Sequence, residues 1–313
     1  CLKPHKQVCP GRRTCETPLV LLESKGTDMA TEFNRTKPGK ITAIDLDAYF
    51  GRIGYAGERT PTLETLRAIH IRHTAAIAFE NLNPLLRWPV RLDRESLEQK
   101  MVRGGRGGYC YEQNLLFSHV LNALGFKVIG LVAAVLWNAP KDAIPPRTHM
   151  LLRVDLEEGR YIADVGFGAL TLTGPLRLQP DIAQVTPHEP FRLTRAGEDF
   201  VLQAKLRDAW MPLYRFDLRE QCLPDYEITN WYYSHHPDSR FVTGLMAARA
   251  APDRRYALLN NELAVHRLNG VTERWVLTSA AEMRKTLEHD FHLTLPDTPQ
   301  LDAALERLTA PTV

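Results

Sequence analysis

The stretch Arg103-Gly104-Gly105-Arg106-Gly107-Gly108-Tyr109-Cys110-Tyr111-Glu112-Gln113-Asn114 decides how this chain is read. Four glycines in five positions do not belong to regular structure. They permit positive φ and let another segment approach the backbone closely. The glycines stop at Cys110, where a helical pattern begins, with Leu116, Val120 and Leu124 on one face and Gly125 as its stop. A thiol at that junction meets unpaired amide donors and the positive end of the helix dipole, and both favour the attacking thiolate. The first amides of the helix, those of Cys110 and Tyr111, are candidate donors to an oxyanion. A lone cysteine is more often a small core residue, so the junction does not settle its role. Runs of Arg-Gly-Gly also mark RNA-binding tails, but those are long and repeated, and this one is single and lies between helices.

Working outward, residues 41–127 read as helical. Asp45 caps a helix with Leu46, Tyr49, Phe50 and Ile53 at helical spacing, and Pro61 and Thr62 open a second through Leu63, Leu66 and Ile69. Asp93 caps a third, with Leu97 and Met101 on one face. From Val128 the pattern changes to short strands, as in the apolar run Val128 to Trp137 and the alternation of His149, Leu151 and Arg153 with Met150, Leu152 and Val154. These predict a small antiparallel barrel or sandwich. The last eighty residues are mixed. Phe241 to Met246 and Tyr256 to Leu259 read as strands, Ser279 with Glu282 opens a helix through Met283, Leu287 and Phe291, and a short final helix carries Leu301, Ala304, Leu305 and Leu308.

A thiol nucleophile needs a base, and the base needs a third group to orient it. Eleven histidines make a candidate base easy to find. His149 is better placed than most, at the start of an alternating strand after the Pro145-Pro146-Arg147-Thr148 turn. Asp164 lies on the returning strand of a hairpin that turns at Glu158-Gly159. If Glu157 faces Arg160, Arg153 faces Asp164, and His149 shares its face. That register leaves His149 and Asp164 about four residues apart, roughly 13 Å. Contact then requires a bulged or bent strand. The alternative is that Asp164 only caps the turn Val165-Gly166-Phe167-Gly168.

Composition excludes several classes. A net charge of +2 argues against a nucleic-acid surface. The longest apolar run is about half the length of a membrane-spanning helix. Cys110 and Cys222 alone in the body make no disulfide framework, so the body reads as reduced and cytoplasmic. No metal is expected. There is no Cys-x-x-Cys pair, His70 and His73 have no third ligand at a suitable interval, and the side chains of His235 and His236 diverge. Residues 1–40, with eight Lys/Arg against four Asp/Glu and no apolar periodicity, are expected to be a disordered head or foreign to the natural chain; a flexible basic arm is the alternative.

Beyond the residues themselves, the chain resembles the bacterial-type arylamine N-acetyltransferases. The resemblance rests on Phe79-Glu80-Asn81-Leu82, Arg106 to Asn114, Leu124-Gly125-Phe126-Lys127-Val128, Thr148-His149-Met150-Leu151-Leu152 and Ala163 to Gly168. A weaker match runs through Asn230, Ser234, Pro237, Ser239 and Phe241, so the body from about residue 41 is covered. The family's Cys, His and Asp occur in this order, the His 39 residues after the Cys and the Asp 15 after the His. The resemblance carries their catalytic roles onto Cys110, His149 and Asp164. Leu131 to Val135 departs from the family, which often has an Arg there, and the doubled Arg-Gly-Gly is unusual.

The resemblance implies an α+β fold with a cysteine-protease-like Cys-His-Asp core: a helical bundle (41–127), a central antiparallel β-barrel (128–230) and an α/β lid (231–313). It implies ping-pong transfer from acetyl-CoA, through an acetyl-cysteine, to an arylamine, arylhydrazine or N-hydroxyarylamine. Phe79, Tyr109 and Phe167 are the expected acceptor walls, with core packing as their alternative. Pro146, Arg147, Thr148 and His236 are the expected CoA contacts. The expected partner is a small molecule, not nucleic acid or membrane, and the chain is a monomer or homodimer. An amide synthase and a cysteine hydrolase using the same three residues are the competing activities.

Overall fold

The structure is a computed structural model and describes residues 43–140 and 142–310. The expected head at 1–40 lies outside the described residues.

α1 (Leu46–Ile53) starts where Asp45 accepts from the Ala48 amide at 3.0 Å, and α2 (Leu63–Ala76) starts where Thr62 accepts from the Thr65 amide. Each side chain satisfies an amide that a helix start leaves unpaired. β1 (Phe79–Glu80) and α3 (Leu82–Leu85) follow. α4 (Arg94–Leu97) widens into a π-helical turn, Glu98–Arg103, which delivers the chain to the glycine run. α5 (Cys110–Ala123) then begins at the cysteine, as the sequence predicts. Tyr49, Phe50, Leu66, Ile69, Phe117 and Val120 bury one another between α1, α2 and α5.

The strands β2 (Lys127–Val135), β3 (Arg147–Leu156), β4 (Gly159–Ala163), β5 (Leu176–Arg177), β6 (Ala183–Gln184), β7 (Phe191–Ala196), β8 (Asp199–Leu206) and β9 (Ala209–Phe216) form one antiparallel sheet, in the order β5-β4-β3-β2-β9-β8-β7-β6. The sheet is a nearly closed barrel. Its two edges meet through Gln184, whose side chain bonds both the carbonyl and the amide of Arg177, at 2.9 and 2.7 Å. Leu131, Leu151, Ile162, Phe191, Leu202 and Phe216 belong to its apolar core. β3 is buried on both faces: Leu151 joins the barrel core, and Met150, Leu152 and Val154 join the core around α5. His149 shares the Leu151 face by parity.

α6 (Leu223–His235) and α7 (Arg240–Thr243) lead to β10 (Met246–Ala251), β11 (Arg254–Leu259), β12 (Glu262–Arg267) and β13 (Thr272–Val276). With β1 these make a second antiparallel sheet, β1-β10-β11-β12-β13. α8 (Ala280–His289) and α9 (Pro299–Thr309) cover it, with Met283, Leu287, Leu301 and Leu305 packed among Leu258, Leu263 and Val265. No helix among the described residues is long and apolar enough to cross a membrane.

Two sequence expectations fail locally. Phe241 is helical, not extended, and the strand starts only at Met246. The Ser239 hydroxyl accepts from the Phe241 amide, and Asn81 Nδ2 donates to the carbonyls of Phe241 and Gly244, so these backbone groups are satisfied without a ladder. The β3–β4 turn is Glu157-Glu158, with Leu156 opposite Gly159. Gly159, at φ +143°, opens the returning strand instead of closing the turn. The register is therefore two residues from the expected one. Parity and shared face survive, and Asp164, just past β4, stands two residues from His149 along the sheet instead of four.

Candidate active site

The glycine run is held from below by buried charge. Arg106 donates from Nε and Nη2 to Glu80 Oε1 at 3.0 and 2.8 Å, and Lys100 Nζ donates to Glu112 Oε1 at 2.6 Å. Glu80 and Glu112 are both buried. Burial pushes the Glu80 carboxyl up, but Arg106 and Lys100 overcome it and hold it below its ordinary value. Glu112 ends above its ordinary value, because burial and the nearby Glu80 outweigh Lys100. Its other oxygen accepts from the Tyr109 amide at 3.1 Å, closing the end of α5 from the third helical position. A Cβ on Gly107 would collide with the Ala78 carbonyl, so only glycine lets the run lie this close to the segment before β1.

This frame sets Cys110 at the first position of α5. Gln113 N–H to the Tyr109 carbonyl is the first intrahelical bond, so the amides of Cys110 and Tyr111 have no helical acceptor. The thiol faces the start of β3, where Sγ is 3.9 Å from the Thr148 carbonyl. β3 is irregular here. Ala133 faces His149 but Ala134 faces Arg147, so Thr148 is an extra residue in the pairing. A bulge re-aims the side chains beside it.

His149 Nε2 lies 2.6 Å from Asp164 Oδ2, and Cys110 stands close enough to act on the ring's charge. With Nε2 taken by Asp164, Nδ1 is the nitrogen that remains for the thiol. Burial pulls the imidazole down, but the charge and hydrogen bond of Asp164, together with Cys110, raise it to about 10. Burial pushes the Asp164 carboxyl up, and His149, the Gly166 amide and Asn114 hold it below its ordinary value. Its Oδ1 accepts from Gly166 N–H at 2.9 Å and Asn114 Nδ2 at 3.1 Å. The three side chains are nearly out of water, with Cys110 6%, His149 3% and Asp164 0% exposed. A charged pair in such surroundings is worth more than in water. The arrangement sets a thiol beside an imidazole whose orientation and charge are held by a buried carboxylate.

The other predicted positions divide. Phe167 is half-buried, 5.0 Å from the His149 ring, and Phe79 is half-buried beneath Gly168 and beside Phe241. Tyr109 is fully buried, its ring on Phe241 and its hydroxyl bonded to Asn230. Pro146, Arg147 and Thr148 run directly into His149. Pro146 is exposed, Arg147 pairs with Asp217 at 2.6 Å, and the Thr148 carbonyl accepts from Tyr111 Oη at 2.9 Å. His236 lies apart from these bonds, stacked on Tyr232 with ring centres 4.6 Å apart. Sequence reasoning missed Asn114 and Gly166. Asn114 had a signal, since four residues after Cys110 is the same helix face.

A protein-family model described as N-acetyltransferase matches residues 62–300. The arylamine N-acetyltransferase of Mycolicibacterium smegmatis is 46% identical over 259 residues, covering 82% of this chain and 94% of that relative. The chain belongs to the arylamine N-acetyltransferase family. Another member, from Salmonella typhimurium, named arylamine N-acetyltransferase / N-hydroxyarylamine O-acetyltransferase, is 40% identical over 253 residues, 80% of this chain and 90% of its own length. The solved structure of the Mycobacterium marinum arylamine N-acetyltransferase in complex with CoA matches with a TM-score of 0.82 at 44% identity, covering 84% of this chain and 99% of that one. The α+β fold expected from the arylamine N-acetyltransferase resemblance is thus the fold of the family.

Proposed function

We propose that this arylamine N-acetyltransferase moves an acetyl group from acetyl-CoA to arylamines, arylhydrazines or N-hydroxyarylamines through an acetyl-cysteine on Cys110. The observation that carries the reading is the His149–Asp164 pair, bonded at 2.6 Å, beside Cys110 at the open start of α5. The Cys110 thiolate attacks the thioester carbonyl carbon. The amides of Cys110 and Tyr111 stabilise the resulting oxyanion. The C–S bond to CoA breaks, and the CoA sulfur takes the proton from His149. In the second half, the amine nitrogen attacks the acetyl-cysteine, His149 takes its proton, and Cys110 leaves as thiolate. Asp164 keeps the ring oriented and stabilises its charged form. Catalytic roles therefore fall to Cys110, His149 and Asp164.

Phe79 and Phe167 serve as walls for a flat aromatic acceptor, with Tyr109 behind them. CoA approaches along Pro146, Arg147 and Thr148 toward His236; the Mycobacterium marinum relative, solved in complex with CoA, supports that co-substrate. The Salmonella typhimurium relative's name supports oxygen as well as nitrogen acceptors. The enzyme works on small molecules in the cytoplasm, as a monomer or homodimer, with 41–127, 128–230 and 231–313 as its bundle, barrel and lid. Acetyl-CoA mixed with aminobenzoates, anilines or hydralazine tests the reading, with free CoA followed by a thiol reagent. CoA release that depends on the acceptor is expected. No release from protein whose Cys110 still alkylates would sink the proposal, and peptide cleavage without CoA would favour a hydrolase.

A further inference from the structure

α2 carries two histidines, His70 and His73, that the reaction above does not use, and both are fully buried. His70 Nε2 accepts from the Asp164 amide at 3.3 Å. His73 reaches toward the nucleophile instead. Its Nε2 is 2.7 Å from Gln113 Oε1, and its Nδ1 is 2.8 Å from Tyr49 Oη.

The directions of these bonds are determined by their partners. Gln113 Nε2 donates to the carbonyls of Ala78 at 2.7 Å and Gly108 at 3.2 Å, which orients the amide and leaves Oε1 as an acceptor. His73 Nε2 must then carry the hydrogen, and Nδ1 accepts from the Tyr49 hydroxyl. One neutral tautomer satisfies both contacts. Burial, the largest influence, draws His73 down to about 4, so the ring stays neutral across the physiological range. The bonds run Tyr49 to His73 to Gln113 to the carbonyls of Ile77, Ala78 and Gly108, among side chains that are all fully buried.

The end of this series is the segment that places Cys110. Ala78 and Gly108 are already joined, amide of Gly108 to carbonyl of Ala78, and the Gly108 carbonyl accepts from the Glu80 amide at 3.1 Å. Gln113 ties that junction to the first turn of α5, close behind the thiol. We propose that His73 is a positioning residue for Cys110, acting through Gln113 on the Gly107–Tyr109 segment. Without its donor the buried Gln113 Oε1 loses its partner, the amide is held from its carbonyl contacts alone, and its tie between Gly108 and α5 loosens. A displacement of the order of 1 Å at a reacting group costs about a hundredfold in rate. This role rests on Cys110 being the acyl-accepting group.

The test is single-turnover acetylation of Cys110 by acetyl-CoA, read by peptide mass, in the wild type, His73→Leu, Gln113→Leu, the double variant and Tyr49→Phe. Acetylation about ten- to a hundredfold slower is expected in His73→Leu. In steady state kcat falls while the acceptor KM holds. The double variant should be no slower than Gln113→Leu alone, because His73 acts through that side chain. Losses that multiply in the double variant overturn the proposal. Tyr49→Phe removes one hydroxyl and covers the case in which His73→Leu fails to fold; full rate in folded Tyr49→Phe also overturns it. A wild type that takes no acetyl group refutes the functional reading instead. Iodoacetamide alkylation of Cys110, compared across the same variants, then decides the positioning role by the same pattern.

Discussion

Gly166 lies against the Cα of Cys110: a Cβ at position 166 would stand 2.8 Å from that atom and 2.9 Å from Asn114 Nδ2. The residue two beyond Asp164 therefore packs on the first turn of α5. Its amide also bonds the Asp164 carboxylate. One glycine thus sets the spacing between the strand end and α5.

Gly166→Ala is expected to force α5 and the strand end apart. Overpacking of this kind costs about 1–3 kcal/mol. Urea denaturation should show that loss, and single-turnover acetylation of Cys110 should slow at least tenfold. A variant with wild-type rate and midpoint would mean the two segments separate freely, contrary to the packing described.

Asp164→Asn tests the carboxylate. An amide neither stabilises the imidazolium nor holds its proton placement, and the loss in a comparable triad is about 10⁴-fold in kcat. We expect a fall of about 10³- to 10⁴-fold in acetyl transfer, with the protein still folded by circular dichroism. A loss below tenfold would remove Asp164 from the reaction.

Arg106→Leu leaves Glu80 buried, with Lys100 at 3.9 Å as its nearest cation. Breaking one side of a buried pair costs about 3–5 kcal/mol. Chemical denaturation should show a loss in that range. Glu80→Leu added to Arg106→Leu should recover part of it, since no buried charge is then stranded. Equal stability of the single and double variants would argue that Lys100 already satisfies Glu80.

Stability against pH has a sign set by the buried histidines. Burial, with a smaller push from His73, draws His70 down to about 3, and burial draws His73 to about 4, both from 6.5. Below about 6.5 the unfolded chain binds protons that the folded chain refuses. Their contribution is complete above 6.5 and is lost as pH falls toward 4 and 3. His149, raised to about 10, runs the other way, complete below 6.5 and lost as pH rises through 10. Thermal melts of wild type and His70→Phe between pH 6.5 and 4 should show a shallower acid loss in the variant. Parallel slopes would contradict a neutral buried His70.

The features legible in the amino-acid sequence are local ones. Asp45 caps α1, Thr62 caps α2, Ser279 caps α8, and α5 begins at Cys110, because a capping oxygen or a glycine stop acts within one turn. The common face of His149 and Asp164 also follows from the chain alone, since parity in a strand survives a two-residue error in register. Local pattern favoured these two among the many acids and histidines, and the resemblance to the arylamine N-acetyltransferases is what attached the catalytic roles to them.

Long-range distances were not legible. The sequence placed His149 and Asp164 about four residues apart; the tight Glu157-Glu158 turn, the bulge at Thr148 and the approach of Gly166 bring His149 onto Asp164 at 2.6 Å and within reach of Cys110. Phe241 has a strand-like sequence, yet Asn81, 160 residues away, takes up its carbonyl and the segment is helical. The Tyr49–His73–Gln113 series joins three helices that no spacing rule connects. The chain by itself determined that a cysteine opens α5 and that a histidine and an aspartate share a strand face. Only the tertiary structure decided that they touch, because hydrogen bonds form over tenths of an ångström and such distances are set by packing between segments, not within them.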